Sequence, residues 1–224
     1  MKVLIIVPAY NEQDSILTTI ADLKKHASFA DILVINDCSR DNTKSILDQN
    51  GIDYIDLPIN LGLNGGVQTG YRYAWINGYD YAMQFDGDGQ HQALYIKDLL
   101  KKSEEGYDIV IGSRFLTKPK DHTMRMMGSR LISFLIKVLT GNTIYDPTSG
   151  MRMLNRKMIY DYAYNMNRHP EPDTVVYQLR HGAKVAEVQV EMQDRFAGQS
   201  LYSNWFNSFK YMFYQVISIL FLSY

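Results

Sequence analysis

The chain contains little cysteine and little proline, and it carries no strong excess of charge of either sign. Its 224 residues include one cysteine and six prolines, and the formal net charge is -1 at pH 7. Cys38 alone cannot form an internal disulfide, and no Cys and His cluster has zinc-ligand spacing, so a reducing compartment is favoured. The balanced charge argues against a nucleic-acid partner. These absences favour small-molecule chemistry.

Long apolar runs and flexible linkers are also missing. No apolar run reaches the roughly 20 residues that span a bilayer, and no stretch rich in Pro, Gly or Ser divides the chain. The first apolar stretch, residues 3–7, is too short for a signal peptide and ends at Pro8, so we interpret it as a strand. We predict one domain over residues 1–200 and an aromatic, apolar helical segment over residues 201–224.

β-rich apolar runs alternate with segments of helical periodicity. The runs are residues 3–7, 32–35, 54–57, 81–85 and 109–111, and the clearest helical segments are residues 12–26 and 41–49. This alternation predicts an α/β fold with a mostly parallel sheet covered by helices. A polar motif follows each of the five runs. Because ligands bind at the carboxyl edge of such a sheet, we expect the five motifs to form one site.

The most informative motif is the Asp-Gly-Asp-Gly-Gln-His sequence at residues 86–91, which directly follows the fourth run. A continued strand would put Asp86 and Asp88 on one face, and Gly87 would let the backbone approach a ligand. Carboxylates suit a hard cation such as Mg²⁺ or Mn²⁺ bound to phosphate, and Gln90 or His91 can complete the site. The alternative is an ordinary polar β-turn.

The motifs after the first two runs suit a nucleotide. We expect Asp37 to accept hydrogen bonds from a base or ribose, Tyr10 to cover the base and Glu12 to contact the sugar. The alternative explanation is local, since Asp37 can cap a helix and Pro8 can stop a strand. The sequence contains neither a phosphate-binding P-loop nor a dinucleotide fingerprint, which argues against a nicotinamide dehydrogenase.

Taken together, these motifs resemble those of the family 2 glycosyltransferases of the GT-A fold, especially polyprenyl-phosphate sugar synthases and bacterial cell-surface polysaccharide enzymes. The likeness covers residues 3–200 and is carried by residues 8–12, 36–43, 86–91, 112–114, 146–152 and 195–200. It implies a Rossmann-like domain that binds a nucleoside-diphosphate sugar, such as a UDP-sugar, at the carboxyl edge of the sheet.

The resemblance also implies roles for individual residues in an inverting, metal-dependent hexosyltransferase. The nucleotide-sugar contacts would be made by Pro8, Ala9, Tyr10, Glu12, Asp37, Asp86, Gly87 and Asp88. The metal, Mg²⁺ or Mn²⁺, would be held by Asp86, Asp88 and Gln90. No covalent sugar-enzyme intermediate is required, because a single in-line displacement inverts the anomeric centre.

The acceptor is less narrowly defined by the sequence. Forked guanidinium donors suit phosphate, and the residues expected on the acceptor side are Arg114, Arg125, Arg130, Asp146, Arg195 and Ser200. A polyprenyl phosphate needs little general-base assistance, whereas the hydroxyl of a lipid-linked glycan needs a carboxylate. Glu171 and Asp173 are the candidates for this carboxylate, which would act as a general base. Together with Asp88 they are the predicted catalytic residues. Their alternative role is to stabilise a helix start at Pro172.

Two departures from the family pattern stand out, and competing functions remain open. Asn36 occupies a position where many relatives carry an acidic residue, and Leu201 follows the Arg-x-x-Gly-x-Ser element where lipid-phosphate synthases usually carry Lys. The alternatives to a transferase of polysaccharide or cell-wall synthesis are a nucleotidyltransferase and a non-catalytic sugar-nucleotide-binding assembly subunit.

Two apolar segments predict contacts beyond the substrates. Residues 126–139 can lie at a membrane interface or pack on the sheet, and residues 205–224 are rich in aromatic side chains. We expect a protein that is peripheral at the cytoplasmic face of a membrane. A small membrane-protein partner or a homo-oligomer would explain the same C-terminal surface.

Overall fold

Strands and helices alternate along the part of the chain that the structure describes. The computed structural model describes residues 1–87, 90–121, 123–165, 172–192 and 214–222, with the backbone alone at residues 124, 125, 221 and 222. The strands are β1 Val3–Ala9, β2 Asp31–Asn36, β3 Tyr54–Asp56, β4 Tyr81–Gln84, β5 Ile109–Ser113, β6 Arg152–Asn155 and β7 Val185–Gln189. The α-helices are α1 Ile16–His26, α2 Thr43–Gln49, α3 Gly62–Ile76, α4 Ile96–Glu104, α5 Met124–Thr140, α6 Arg156–Tyr164 and α7 Pro172–Arg180.

The strands form one mixed but mostly parallel sheet in the order β3-β2-β1-β4-β6-β5-β7. Only β6, among the described strands, runs against its neighbours β4 and β5. The predicted α/β fold and its five strands are confirmed. β6 and β7 were not predicted, because β6 has four residues with polar ends and β7 is half-buried along its whole length without a clear apolar alternation.

Apolar side chains fill both faces of the sheet. Leu4 and Ile6 of β1 belong to a core shared with α3, α5, α6 and α7, while Ile5 and Val7 point to the opposite face, covered by α1, α2 and α4. The period of two along β1 sends alternate residues to opposite faces, and both faces are apolar because helices cover each one. This two-sided burial leaves the carboxyl edge of the sheet for polar groups.

Gly70→Ala is expected to destabilise the fold, because α3 approaches β1 closely at this glycine. A Cβ on Gly70 would lie 2.3 Å from Cγ2 of Ile6, which is 0% exposed. Overpacking of this kind costs about 1–3 kcal/mol. Gly66→Ala on the same helix is the matched control, since its Cβ would meet Ile35 at 3.7 Å and alanine favours helix. Chemical denaturation of both variants measures the difference, and a Gly70→Ala protein as stable as the wild type would contradict the expected clash.

Helix α5 has one buried face and one exposed apolar face. It begins at Thr123, whose hydroxyl accepts the Met126 N–H, and ends at Gly141 in the left-handed conformation. Ile132 and Ile136 are buried in the core. The opposite face carries what we term the α5 stripe, whose side chains are 47–63% exposed: Met127, Leu131, Phe134 and Val138. The helix therefore packs on the sheet, as one of the two predicted alternatives has it, and it also presents an exposed apolar surface; contact of that surface with a membrane stays a prediction.

The described part of the C-terminal segment packs against the domain. Residues 218–222 form a π-helical turn, Ile219 is buried in the core beside α7, and the Ser218 hydroxyl donates to the Asp173 carboxylate at 2.6 Å. The predicted domain boundary at residue 200 lies outside the described residues. No helix within the described ranges combines the length and the apolarity that crossing a bilayer requires.

Candidate functional site

The loops that follow β1 and β2 are tied together at the carboxyl edge of the sheet. Asn11 and Cys38 both adopt φ of 58°, an uncommon conformation for residues with a Cβ. The Asn11 N–H donates to the Ser39 hydroxyl at 3.0 Å, and the Asn11 side-chain oxygen accepts the Arg40 N–H at 2.8 Å. These bonds hold the two loops in a single arrangement. Pro8 and Ala9, predicted to contact nucleotide, are the last residues of β1 and border it.

The residues of these loops that are predicted to contact nucleotide differ in their exposure to solvent. Tyr10 is 43% exposed, as a side chain that covers a ligand must be. Glu12 lies in the loop before α1, where its carboxylate accepts the Ser15 hydroxyl and its N–H donates to the Thr43 hydroxyl. Asp37 is buried, and its Oδ1 accepts the Leu61 N–H at 2.6 Å, which fastens the start of α3 to the end of β2. Asp37 therefore has a structural task in addition to its predicted contact with nucleotide.

Asp86 follows β4 and its carboxylate is only partly exposed. Gln84 Nε2 donates to its Oδ1 at 2.7 Å. The His91 ring is buried, and its Nδ1 accepts the Asp86 N–H at 3.1 Å, so the neutral ring carries its proton on Nε2. That Nε2 faces Asp86 Oδ2 at 3.6 Å. Gln84 and His91 therefore orient the carboxylate, a role the sequence did not predict for Gln84.

The groups around Asp86 suit a divalent cation. A carboxylate held in place by a neighbouring donor is a hard oxygen ligand of the kind Mg²⁺ and Mn²⁺ prefer. Gln90, predicted to be a third metal ligand, is partly buried four residues further along the chain. Gly87 lies against the β1 loop, where a Cβ would meet the Pro8 carbonyl at 3.2 Å. Asp88 lies outside the described residues, and among those described no three His, Cys, Asp or Glu side chains converge as a metal cluster.

Arg114, which follows β5, forms a two-pronged ion pair with Asp146. Its Nε donates to Asp146 Oδ2 at 2.6 Å, its Nη2 donates to Oδ1 at 2.8 Å, and its backbone N–H also donates to Oδ2. Asp146 is 0% exposed. Parallel N–H···O bonds of this kind fix the plane of the guanidinium and raise the strength of the interaction. Asp146 thus orients Arg114, and its Oδ1 also accepts the Thr148 hydroxyl within the turn at residues 146–150.

The same turn contacts Asp86. A Cβ on Gly150 would lie 3.2 Å from Asp86 Oδ2 and 3.3 Å from Gln84 Nε2. The turn therefore carries the partner of Arg114 at one end and touches the predicted metal ligand at the other. Residues from two distant parts of the sequence meet here because β6 pairs antiparallel with β4, opposite Gln84.

Two further residues shape this turn, and neither of them was predicted as a site residue. Arg152 is buried and donates to the carbonyl oxygens of Ser149 and Pro147 at 2.8 and 2.9 Å. Glu187 on β7 accepts the N–H groups of Tyr145 and Asp146 at 2.7 Å each. Burial raises the pKa of Glu187 above its usual range, although these amide bonds oppose the shift. Arg152 was visible in its motif, but Glu187 has no local signal and lies on an unpredicted strand.

A second group of basic residues lies beside Arg114. The Arg130 guanidinium on α5 donates to the Lys120 carbonyl, and the Lys120 ammonium donates to the hydroxyls of Ser129 and Ser133. Arg114 and Arg130, two of the predicted phosphate ligands, are therefore brought to one side of the site. Lys120 was not predicted.

Asp173 occupies the first turn of α7 and has an exposure of 9%. Its Oδ1 accepts the Thr174 N–H at 2.8 Å, and its Oδ2 accepts the Ser218 hydroxyl. This is the arrangement expected of a carboxylate that stabilises a helix start, the alternative to a general base. Four other predicted site residues lie outside the described residues: Asp88, Glu171, Arg195 and Ser200. The Arg125 side chain also lies outside them.

A cavity of about 560 Å³ lies elsewhere on the molecule. Asp31, Asp53 and Tyr79 line it, and these residues start or precede β2, β3 and β4. It is therefore at the amino edge of the sheet, opposite the polar motifs. We assign the functional site to the carboxyl edge, because the Asp86 carboxylate, the turn at residues 146–150 and the Arg114 guanidinium meet there.

Known proteins are similar to this chain over most of its length. The chain is 29% identical over 212 residues to an undecaprenyl-phosphate mannosyltransferase of Micrococcus luteus, covering 89% of this chain and 87% of the relative. It is 25% identical over 167 residues to a polyprenol monophosphomannose synthase of Mycolicibacterium smegmatis, covering 70% of this chain and 63% of that protein. An uncharacterized protein of Methanocaldococcus jannaschii is 28% identical over 228 residues, covering 98% and 93% of the two chains.

Solved structures share the fold. Glucosyl-3-phosphoglycerate synthase of Mycobacterium tuberculosis, in complex with Mn²⁺, uridine diphosphate and phosphoglyceric acid, superposes with a TM-score of 0.74 at 17% identity, covering 99% of this chain and 78% of that one. This likeness confirms the predicted GT-A architecture. The family described as Glycosyl transferase family 2 matches residues 4–163. Because this match spans more than half of the chain, the chain belongs to glycosyl transferase family 2.

Proposed function

We propose that this glycosyltransferase moves a sugar from a nucleoside-diphosphate sugar to a polyprenyl phosphate, with inversion at the anomeric carbon. The observation that carries the proposal is the turn at residues 146–150. Its Gly150 lies against Asp86, and its Asp146 orients the Arg114 guanidinium. The turn therefore links the predicted donor-diphosphate motif to the arginine that is predicted to bind phosphate. Relatives named as undecaprenyl-phosphate and polyprenol transferases support the same acceptor class.

The chemistry is a single displacement. An ionised oxygen of the acceptor phosphate attacks the anomeric carbon, the bond from that carbon to the nucleoside diphosphate breaks, and the diphosphate leaves with the electron pair. Because the nucleophile is already deprotonated, no proton has to be removed from it. The protein has to hold two groups of phosphates close together despite their like charge. We expect Arg114, whose guanidinium is held in place by Asp146, to bind one of them.

Asp86, with Asp88 and Gln90 as the sequence predicts, would hold a divalent cation on the donor side. When bound, such a cation stabilises the negative charge that grows on the leaving diphosphate. Gln84 and His91 contribute by keeping the Asp86 carboxylate in one orientation. The fixed carboxylate lowers the cost of ordering the donor phosphates at this edge of the sheet.

The described carboxylates on the acceptor side favour a phosphate over a sugar hydroxyl. Asp146 accepts hydrogen bonds from the Arg114 guanidinium, and Glu187 accepts them from two backbone N–H groups. Asp173 accepts them from the Ser218 hydroxyl and the Thr174 N–H. Carboxylates committed to protein donors are poorly placed to take a proton from a hydroxyl. Arg114, Lys120 and Arg130 lie together on this side of the site, which supports an anionic acceptor.

A lipid acceptor requires the site to face a membrane surface, and the α5 stripe is suited to that contact. The stripe lies on the helix that also carries Arg130, whose guanidinium reaches the loop after β5. An amphipathic helix with an exposed apolar face and flanking basic residues is typical of peripheral membrane binding. We propose that the protein is peripheral at the cytoplasmic face, in line with its single cysteine.

Phe134→Glu is expected to weaken membrane binding about tenfold or more, because it removes an apolar side chain that is 61% exposed and introduces a negative charge. Co-sedimentation with phospholipid vesicles measures the binding. Leu17→Glu on α1 is the matched control, since Leu17 is 42% exposed on a helix that covers the opposite face of the sheet. Equal binding by wild type and the Phe134→Glu protein would contradict this orientation.

A transferase assay tests the proposed function directly. Purified protein is incubated with Mn²⁺ or Mg²⁺, a panel of UDP- and GDP-sugars, and undecaprenyl phosphate in vesicles. The expected result is a glycosylated lipid phosphate and release of nucleoside diphosphate. Pyrophosphate release would instead indicate a nucleotidyltransferase, and binding without turnover would indicate an assembly subunit. Either result would reject the proposal.

A further inference from the structure

Lys120 lies in the loop between β5 and α5, where it is partly buried beside the acceptor-side residues. Its Nζ donates to the Ser129 hydroxyl at 2.7 Å and to the Ser133 hydroxyl at 3.2 Å. The Lys120 carbonyl oxygen accepts a hydrogen bond from the Arg130 guanidinium. Two serines on one face of α5 and an arginine from the same helix therefore hold this lysine in place. Such a fixed ammonium differs from an ordinary surface lysine, which remains mobile in water.

The positive charge of Lys120 is not neutralised by an ion pair within the described residues. No described carboxylate lies within 4.0 Å of its Nζ, and two of its three N–H groups have hydroxyl acceptors there. The nearby acid Asp146 is committed to Arg114. The other nearby acid, Glu187, accepts two backbone amides. A cation held in a partly desolvated place without a counter-ion favours binding of an anion.

Lys120 and Arg114 face the same aromatic ring. The Arg114 guanidinium carbon is 5.1 Å from the Phe115 ring centre, and the Lys120 Nζ is 5.4 Å from it. Phe115 thus brings a forked donor and a compact ammonium into one neighbourhood. A phosphate offers several oxygens, and a guanidinium and an ammonium bind different oxygens of one phosphate without competing.

We propose that Lys120 is an acceptor-binding residue that contacts, together with Arg114, the phosphate of the lipid acceptor. This inference rests on the proposed transfer to polyprenyl phosphate and extends it to a residue outside the sequence motifs. The serines orient the ammonium, and Arg130 holds the loop that carries it. The residue acts in binding, so its loss raises the KM for the acceptor and leaves the donor KM unchanged.

The environment of Lys120 also predicts a dependence on pH. Burial lowers the pKa of Lys120 to about 8, while Asp146 and Glu187 oppose the shift and Arg114 and Arg130 add to it. Below this value the ammonium is charged and binds phosphate; above it the charge is lost. The second ionisation of a phosphate monoester has a pKa of about 6 and is nearly complete above about pH 7, so it does not mask a change near pH 8. The acceptor KM of the wild type should therefore rise as the pH passes through 8.

The test compares Lys120→Gln with Lys118→Gln in steady-state transfer to undecaprenyl phosphate. Lys118 is the matched control, because it lies two residues away on the same loop and pairs with the exposed Glu191. Lys120→Gln is expected to raise the acceptor KM about ten- to a hundredfold, as loss of a charged hydrogen bond does. The Lys118 variant should behave as wild type. Lys120→Arg keeps a permanent charge and should abolish the rise in acceptor KM near pH 8.

The outcomes separate the two proposals. If the wild type transfers sugar to undecaprenyl phosphate but Lys120→Gln has an unchanged acceptor KM, the role of Lys120 is wrong and the function stands. A raised donor KM would assign Lys120 to the nucleotide sugar and also reject the inference. Absence of transfer by the wild type would reject the function and the inference together. Should Lys120→Gln fail to fold, the pH profile of the wild-type acceptor KM decides, and a flat profile through pH 8 overturns the role.

Discussion

Asp86→Asn is expected to lower kcat/KM for sugar transfer by about a hundredfold or more, with the fold intact. Asparagine keeps the shape of the side chain but removes the charge that a divalent cation and the donor diphosphate require. Loss of one preorganised electrostatic contact to a developing charge typically costs about 10²–10³ in rate. Asp86 is partly exposed at a strand end, so the neutral side chain leaves no buried charge without a partner. Steady-state assays at saturating and limiting Mn²⁺ measure the effect.

A matched substitution and a binding measurement make this prediction specific. Asp53→Asn is the same chemical change at an exposed residue before β3, at the opposite edge of the sheet, and should leave transfer unchanged. Titration of Mn²⁺ in the presence of UDP should show weaker metal binding by the Asp86 variant. Wild-type turnover by Asp86→Asn would overturn its assignment. The sequence motif predicts a loss of similar size for Asp88→Asn.

Arg114→Gln is expected to cost about 3 kcal/mol or more of stability and to impair acceptor use. The substitution leaves the carboxylate of Asp146, which is 0% exposed, without its charged partner. Removing one member of a buried ion pair typically costs about 3–5 kcal/mol, because the remaining charge is desolvated and unpaired. Arg114 is itself 21% exposed, which places the expected value at the lower end. Urea denaturation and acceptor KM report the two effects.

Arg114→Lys separates charge from geometry. Lysine retains the positive charge but cannot form the two parallel bonds, so we expect intermediate stability and an acceptor KM still well above that of wild type. Arg156→Gln is the control, since Arg156 is exposed over the Trp75 ring at 4.3 Å and lies away from the acceptor side. An Arg114→Gln protein with wild-type stability would show that Asp146 does not depend on this partner.

Much of the donor side could be predicted from local sequence. Each strand with a clear apolar run was found, because residues buried on both faces produce continuous β-rich segments. The polar motifs after these strands were assigned to one edge, since parallel strands share a direction. Asp86 is therefore found from its own neighbours, although the groups that orient it, Gln84 and His91, become evident only from distances.

The acceptor side could be predicted only in part. Arg114 was named from its motif, but the reason for its orientation is Asp146, 32 residues further along the chain. Glu187 lies on β7, whose five residues are all partly buried and show no alternation of buried and exposed side chains. Lys120 does not belong to any of the sequence motifs. Residues 126–139 were compatible with packing on the sheet and with a membrane interface, because the sequence of an apolar helix does not determine which of its faces contacts the core.

The alternation of apolar runs and helical segments was enough to predict the fold, and the short polar motifs behind the runs carried the resemblance to the family. Parallel strands explain why those motifs lie at one edge. The assembly of the acceptor side depended on the tertiary structure. Antiparallel β6 returns the turn at residues 146–150 to Asp86 and Arg114. Helix α5 brings the hydroxyls of Ser129 and Ser133 to Lys120. Such pairings act between residues far apart in sequence, and their strength comes from burial and charge that only the folded chain creates.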